Sequence, residues 1–274
     1  MFILKRICTI QDISCLGQCS LTVALPIISA AGIETAVIPT AVLSTHTGGF
    51  KNFTFCDLTE EMPKIEAHWV SEGLKFDGFY TGYVGSIKQI DYIMSIMDSC
   101  KNENTINVVD PCMADNGKLY VGFSEDFPSE MLRLCKKADY IVPNLTEASL
   151  LLGRVYKEKY TKEEIEDMAI SLNHLTNAAV VLTGVSFEDD KLGCCCYKDG
   201  KIEYYFTKRI PHSFHGTGDC FAASFFAGII KGLSILEACK LACHFTVLAM
   251  ENTYDVKDEH WYGVYFEKAL SMLV

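Results

Sequence analysis

Four short segments hold residues whose types and spacing suit phosphate chemistry. The sharpest is His215-Gly216-Thr217-Gly218-Asp219, set just before the apolar run CFAASFFAGII. Gly216 and Gly218 permit positive φ and close backbone approach, so successive N–H groups can face one concavity. A helix starting there adds the positive end of its dipole, completing an anion hole for a transferring phosphoryl group. Asp219, in the same first turn, is favoured as a carboxylate and can accept a hydroxyl proton as the oxygen attacks phosphorus. The plainer alternative is a tight turn with an acidic helix start.

Asn144-Leu145-Thr146-Glu147 carries two meanings. Asn three residues before Glu at a helix start is a capping box. The same two side chains can also reach a hydrated Mg²⁺, which takes one or two carboxylates and keeps several waters. Asp110-Pro111 closes INVVD, and Thr183-Gly184 closes AVVL. Asp-Pro also initiates turns, and Thr-Gly can simply end a strand. The chain has no GxxxxGK[ST], no GxGxxG after the first strand, no GxSxG and no HExxH, so any phosphate handling falls to Gly216–Asp219.

Such residues need strand ends and helix starts to hold them. Strands are expected at Leu4–Ile10, Glu34–Pro39, Gly78–Tyr83, Ile106–Asp110, Tyr140–Pro143 and Ala179–Thr183. Leu192–Tyr197 and Ile202–Thr207 should form a hairpin turning at Asp199-Gly200. Helices are expected at Ser20–Ala31 (ended by Gly32), Ile65–Glu72, Ile87–Cys100, Ser129–Lys137, Leu145–Leu152, Lys162–Asn173, Asp219–Lys231 and Ile235–Glu251. Strands alternating with helices predict an α/β fold: one domain spanning residues 1–274, with a mostly parallel central sheet and helices on both faces. Ligands in such folds bind beyond the carboxyl ends of the strands, where all four segments fall.

The 274 residues are 49% hydrophobic and 22% charged, which fits a globular chain and excludes a disordered one. Lys and Arg number 24 against 35 Asp and Glu, a net charge of −11. A surface so acidic disfavours nucleic acid as a partner. The densest apolar run, Phe221–Ile230, is ten residues, about half of a membrane span. Thirteen cysteines cannot all pair, and no secretory pattern opens the chain, so a cytoplasmic location with reduced thiols is expected. Cys194-Cys195-Cys196 should point alternately to opposite faces of a strand, which argues against a metal site.

HGTGDCFAASFFAG resembles the C-terminal signature of ribokinase-fold kinases. PNLTEASLLLG resembles their Asn-x-x-Glu segment. The order of VVDPCMADNGKLY, PNLTEASLLLG, VVLTG and GTGD, with TIQDISCLGQCSLTVALPIISAAGIETAVIPTAVLSTHTGG and FDGFYTGYVGS in the N-terminal half, is similar to that of pyridoxal kinases. The resemblance implies phosphorylation of the 5′-hydroxymethyl group of a vitamin B6 form, with ATP as co-substrate and Mg²⁺ as cofactor; a monovalent cation stays open. It implies that Asp219 is the base, and that Gly216, Thr217 and Gly218 form the anion hole. Glu147 would hold Mg²⁺, with Asn144 acting through water. Asp110, Asp115, Tyr120, Thr183 and Gly184 would lie near the nucleotide, and Asp12, Thr47 and Tyr83 around the pyridine ring. STHTGGF and ADNGKLY would close over the site and exclude water. A homodimer is implied as well.

One departure concerns the first strand. Pyridoxal kinases often read Ile-Gln-Ser-His there, whereas this chain reads Ile10-Gln11-Asp12-Ile13. A carboxylate in place of Ser pairs better with the protonated amine of pyridoxamine than with a neutral aldehyde; alternatively Asp12 faces solvent or caps a turn. Cys112 does not match the place of the lid cysteine found in some relatives and reads as a packed thiol. Competing expectations are a hydroxymethylpyrimidine kinase, a sugar kinase, and a non-catalytic B6-binding or redox-sensing protein. An intact Gly-Thr-Gly-Asp argues against the last.

Overall fold

A computed structural model describes residues 4–274. In chain order the elements are β1 (Arg6–Ser14), α1 (Leu21–Ala30), β2 (Glu34–Leu43), β3 (Phe55–Asp57), α2 (Met62–Ser71), β4 (Phe76–Thr81), α3 (Ile87–Ser99), β5 (Lys101–Val109), β6 (Ala114–Asp115), β7 (Lys118–Leu119), α4 (Phe127–Cys135), β8 (Tyr140–Ile141), α5 (Leu145–Leu151), α6 (Lys162–Thr176), β9 (Ala179–Val185), β10 (Lys191–Lys198), β11 (Lys201–Lys208), α7 (Thr217–Ile230) and α8 (Ile235–Tyr254). Local signals set several boundaries. Capping boxes open α6 (Thr161, Glu164) and α8 (Ser234, Glu237), and a left-handed Asn177 closes α6.

One sheet runs β11-β10-β9-β8-β5-β4-β1-β2-β3. The six strands from β9 to β2 are mutually parallel, while β3 at one edge and β10–β11 at the other add antiparallel pairings. This is the expected mostly parallel α/β sheet covered on both faces. Pleating sends neighbours to opposite layers: Phe79 joins the layer under α2–α6, and Tyr80 joins that under α1, α7 and α8. The predicted hairpin turns at Asp199 and Gly200, both at positive φ.

Three differences from the sequence expectations have local causes. β1 continues past Ile10 because its polar residues find buried partners: Gln11 Nε2 donates to Thr9 Oγ1 at 2.7 Å, and Ser14 Oγ to Asp12 at 3.0 Å. The short hairpin β6–β7 forms within ADNGKLY, where Asn116-Gly117 makes a two-residue turn with both φ positive. β9 does not stop at Thr183. It runs to Val185 with Gly184 bulged out, since Cys194 pairs with Thr183 while Gly193 pairs with Val185.

All 13 cysteines are free. Cys194 and Cys196 face α8, where the sulfurs of Cys194 and Cys243 lie 3.9 Å apart, and Cys195 faces the opposite layer. Among the described residues no helix is long and apolar enough to cross a membrane.

Helix α7 is the keystone of one layer, buried along almost its whole length. Its Phe226 is fully buried, 5.5 Å from the Tyr80 ring. Phe226→Ala should cost about 3–5 kcal/mol of unfolding free energy, measured by chemical denaturation. A loss below about 1 kcal/mol would show that this layer is not packed as described.

Candidate active site

The first turn of α7 stands at the carboxyl edge of the sheet. Gly216 is its N-cap at φ 78, and a Cβ there would lie 2.0 Å from the Gln18 carbonyl oxygen. No other residue fits so close an approach. Gly218 plays a different part from the one expected. It lies within the helix without positive φ, and nothing stands within 4 Å of where its Cβ would be. It leaves the helix start open, with the first N–H groups of α7 lacking intrahelical partners. The Thr217 hydroxyl donates back to the Phe214 carbonyl at 3.3 Å.

Asp219, in the first turn of α7, faces the loop between β1 and α1 at Ser20. The Ser20 N–H lies toward Asp219 and the Ser20 hydroxyl toward Asp12, each favouring the carboxylate form. Ser20 achieves this at φ 56 and ψ −129, a strained conformation for a residue with a side chain. Desolvation pushes the Asp219 carboxyl up to about 7, with the neighbouring Asp12 adding to it.

Asp110, just after β5, and Glu147, in the first turn of α5, lie beside this turn. Asp110 follows β5 and is 8% exposed. Desolvation first, then Glu147 and Asp219, push its carboxyl well above the usual range. Glu147 is equally buried. Its Oε2 accepts the Asn144 N–H at 2.9 Å, and its Oε1 accepts the Met113 N–H at 3.0 Å. Asn144 Oδ1 accepts the Glu147 N–H at 2.9 Å, and Nδ2 donates to the Ala114 carbonyl at 2.9 Å. The capping box is therefore real, and through Ala114 it also anchors the β6–β7 hairpin.

None of Asp12, Asp110, Glu147 and Asp219 takes part in a salt bridge among the described residues. Buried carboxylates without cationic partners fit a divalent cation. Among the described residues no three His, Cys, Asp or Glu side chains form a ready-made cage. The donor set therefore suits an ion that completes its shell with phosphate and water, as Mg²⁺ does.

The remaining predicted residues ring this centre. Asp12 is 5% exposed, which removes the solvent-facing alternative. Tyr83, pushed up to about 12 by burial and then by Asp12, lies 5.5 Å from the Phe123 ring. Thr47 is exposed on the loop after β2. That loop is held by neutral His46: Nδ1 accepts the Gly48 N–H at 3.0 Å, so Nε2 donates to the Tyr262 carbonyl at 2.7 Å. Phe50 packs on Trp261 at 4.6 Å. Tyr120 ends the hairpin, its N–H donating to the Met113 carbonyl at 2.9 Å. Asp115 does not turn inward. Its carboxylate accepts the Asn116 N–H at 2.8 Å and the Asn116 side chain at 3.0 Å, capping its own turn. Thr183 bonds the Pro143 carbonyl through its N–H at 3.0 Å, and the bulged Gly184 is exposed.

Gln18, Ser20 and Phe123 also shape the site, and sequence reasoning missed them. Asn116-Gly117 was an available hairpin signal for the element that brings Phe123 inward; Gln18 and Ser20 act only through tertiary contacts.

The family described as phosphomethylpyrimidine kinase matches residues 24–263 of the chain. The chain is 28% identical over 234 residues to the chloroplastic thiamine biosynthetic bifunctional enzyme of Arabidopsis thaliana, covering 85% of this chain and 44% of that relative. It thus spans less than half of that bifunctional protein. A Bacteroides thetaiotaomicron structure, described as a candidate phosphomethylpyrimidine kinase with pyridoxal, superposes with a TM-score of 0.93 at 35% identity, over 99% of this chain and 96% of that one. Pyridoxal kinase from Lactobacillus plantarum superposes with a TM-score of 0.92 at 31% identity, over 99% and 97%.

The raised carboxyl of Asp219 has a consequence for stability. Between about 4, the ordinary Asp range, and about 7, its folded value, the folded chain holds more protons at this group than the unfolded chain. The group's contribution is therefore lost as pH rises through that window. Asp219→Asn does not titrate, so the ligand-free variant should gain thermal stability over wild type progressively across it. A melting-temperature difference independent of pH would refute the assignment.

Proposed function

The chain belongs to the phosphomethylpyrimidine kinase family of ribokinase-like enzymes that phosphorylate an alcohol group, and on that premise we propose that it is an ATP- and Mg²⁺-dependent vitamin B6 kinase. It transfers the γ-phosphoryl group to the 5′-hydroxymethyl oxygen of a B6 vitamer. The observation that carries this reading is the open first turn of α7, with left-handed Gly216 on one side and Asp219 on the other. Asp219, pushed up to about 7, is poised for proton transfer near neutral pH. It takes the hydroxyl proton while the oxygen bonds to the γ-phosphorus. The bond from that phosphorus to the β–γ bridging oxygen breaks, and ADP leaves. The free N–H groups of Thr217 and Gly218 meet the charge on the transferring group. Asp110 and Glu147 would hold Mg²⁺, whose charge offsets that of the phosphates, and Asn144 would act through water. The loop carrying Thr47 and the β6–β7 hairpin with Tyr120 exclude water.

Purified protein with Mg-ATP, offered pyridoxal, pyridoxamine, pyridoxine and hydroxymethylpyrimidine, tests the proposal by ADP release. Turnover should appear with a B6 vitamer. The family description makes hydroxymethylpyrimidine the second reading, and preference for it would decide that way. No turnover with any of the four would reject both. In the same assay, Asp219→Asn should lower kcat by roughly 10²- to 10⁴-fold; wild-type turnover would move the base elsewhere.

The buried Asp12 carboxylate favours a cationic substrate, and pyridoxamine brings an ammonium group. Asp12→Ser should lower kcat/KM for pyridoxamine relative to pyridoxal by about 10-fold. An unchanged ratio would remove Asp12 from substrate discrimination.

A further inference from the structure

Gln89 sits on the inward face of α3, where the other buried residues are Ile90, Ile93, Ile96 and Met97. A buried amide costs free energy unless both of its ends are bonded. Here both are. Oε1 accepts the Gly85 N–H at 2.8 Å, while Nε2 donates to the Thr40 carbonyl at 3.0 Å and to Thr59 Oγ1 at 2.8 Å.

These bonds are not those of a simple helix cap. Ser86-Ile87-Lys88-Gln89 has the form of a capping box, and Ser86 Oγ accepts the Gln89 N–H at 3.3 Å. The return bond, however, goes to Gly85, one residue earlier, in the loop that leaves β4. The polarity of the amide is fixed as well. Thr59 directs its hydroxyl proton to Asp57 Oδ1 at 2.5 Å, so its oxygen accepts from Gln89, and the Thr40 carbonyl can only accept. Nε2 must face these two, which leaves Oε1 for Gly85.

That loop carries Tyr83. Thr81 stands opposite Ile10, and the Gly82 N–H donates to the Ile10 carbonyl at 3.2 Å. Tyr83 and Asp12, each two residues further on, therefore lie together at the carboxyl end of the sheet, where such folds bind ligands. Beyond Gly82 the loop is held from β2. Thr40 Oγ1 donates to the Tyr83 carbonyl at 3.4 Å, and the Gln89 amide bridges Gly85 to the Thr40 carbonyl. Strand β1 lies between β4 and β2, so this tie crosses over its end.

We propose that Gln89 is a positioning residue for the acceptor alcohol: by bridging Gly85 to Thr40 it fixes the loop that presents Tyr83 to the substrate ring. The inference rests on the reading of Tyr83 as a residue around that ring. Gln89 bonds neither α7 nor the Asp110 and Glu147 carboxylates, so its loss falls on acceptor binding and spares ATP binding and phosphoryl transfer.

The test is steady-state kinetics of Gln89→Met, which keeps the side-chain volume, with the acceptor that wild type turns over best. Acceptor KM should rise roughly 10-fold, the worth of a buried hydrogen bond or two. ATP KM and kcat should stay within about 2-fold. Because Gln89 acts through Tyr83, Gln89→Met added to Tyr83→Ala should raise acceptor KM little beyond Tyr83→Ala alone. Thr40→Val, which removes the weaker tie of the same loop, should raise acceptor KM in the same direction; it decides the matter if Gln89→Met does not fold. An unchanged acceptor KM would overturn the proposal. So would a fall in kcat with both KM values unchanged, which marks a loss of folded enzyme, or effects of Gln89→Met and Tyr83→Ala that simply multiply. Wild type without turnover on any acceptor would remove the reading of the site and this proposal with it. Wild-type turnover beside an unaltered Gln89→Met would remove this proposal alone.

Discussion

The site depends on one close approach, that of the α7 start to the loop between β1 and α1. At Gly216 the clearance to the Gln18 carbonyl excludes any side chain, and at Gly263 a Cβ would lie 2.4 Å from the Gln18 Cβ. Two segments remote in sequence thus converge on Gln18, whose side chain also donates to Glu267 at 2.8 Å. The loop reaches this position by accepting positive φ at Gly17, Gln18 and Ser20. Two of these are not glycines, and such strain persists only where surrounding contacts over-determine it. In return, Ser20 sets its N–H toward Asp219 and its hydroxyl toward Asp12, favouring both carboxylates.

Electrostatics follow from that geometry. The sheet edge gathers four carboxylates, while the surface ion pairs lie elsewhere on exposed helices and strands. Burial raises all four, and at Asp110 the neighbouring Glu147 and Asp219 add to it. If the cluster holds a magnesium nucleotide as proposed, this imbalance favours it, because the incoming cation meets carboxylates that water does not shield.

Much of this was legible in the chain, for reasons that differ residue by residue. Gly216 and Asp219 declare themselves because an anion-binding helix start is a local motif, complete within five positions. The Asn144–Glu147 cap is local too, and the capping box is present in the structure. Gly218 was assigned the wrong reason: its neighbours in sequence give no sign that it keeps space open rather than turning the chain. Asp115 bonds its own turn, a choice set by the Asn116-Gly117 geometry. The bulge at Gly184 exists only relative to the pairing partner β10, so no reading of AVVLTG alone reveals it. Gln18 is invisible for the same reason, since it acts through contacts distant in sequence. The cysteines show this at the level of packing, where alternation correctly separated Cys195 from its neighbours but gave no hint that Cys194 would meet Cys243.

The unpaired carboxylates also bear on how long the protein lasts. On the proposed reading, a cation completing the site would relieve their mutual repulsion, and a bound magnesium nucleotide would raise the free energy of unfolding by mass action. Local opening that admits proteases becomes rarer in proportion. On that reading the lifetime of each copy would follow nucleotide supply, an idle copy being cleared sooner than a loaded one.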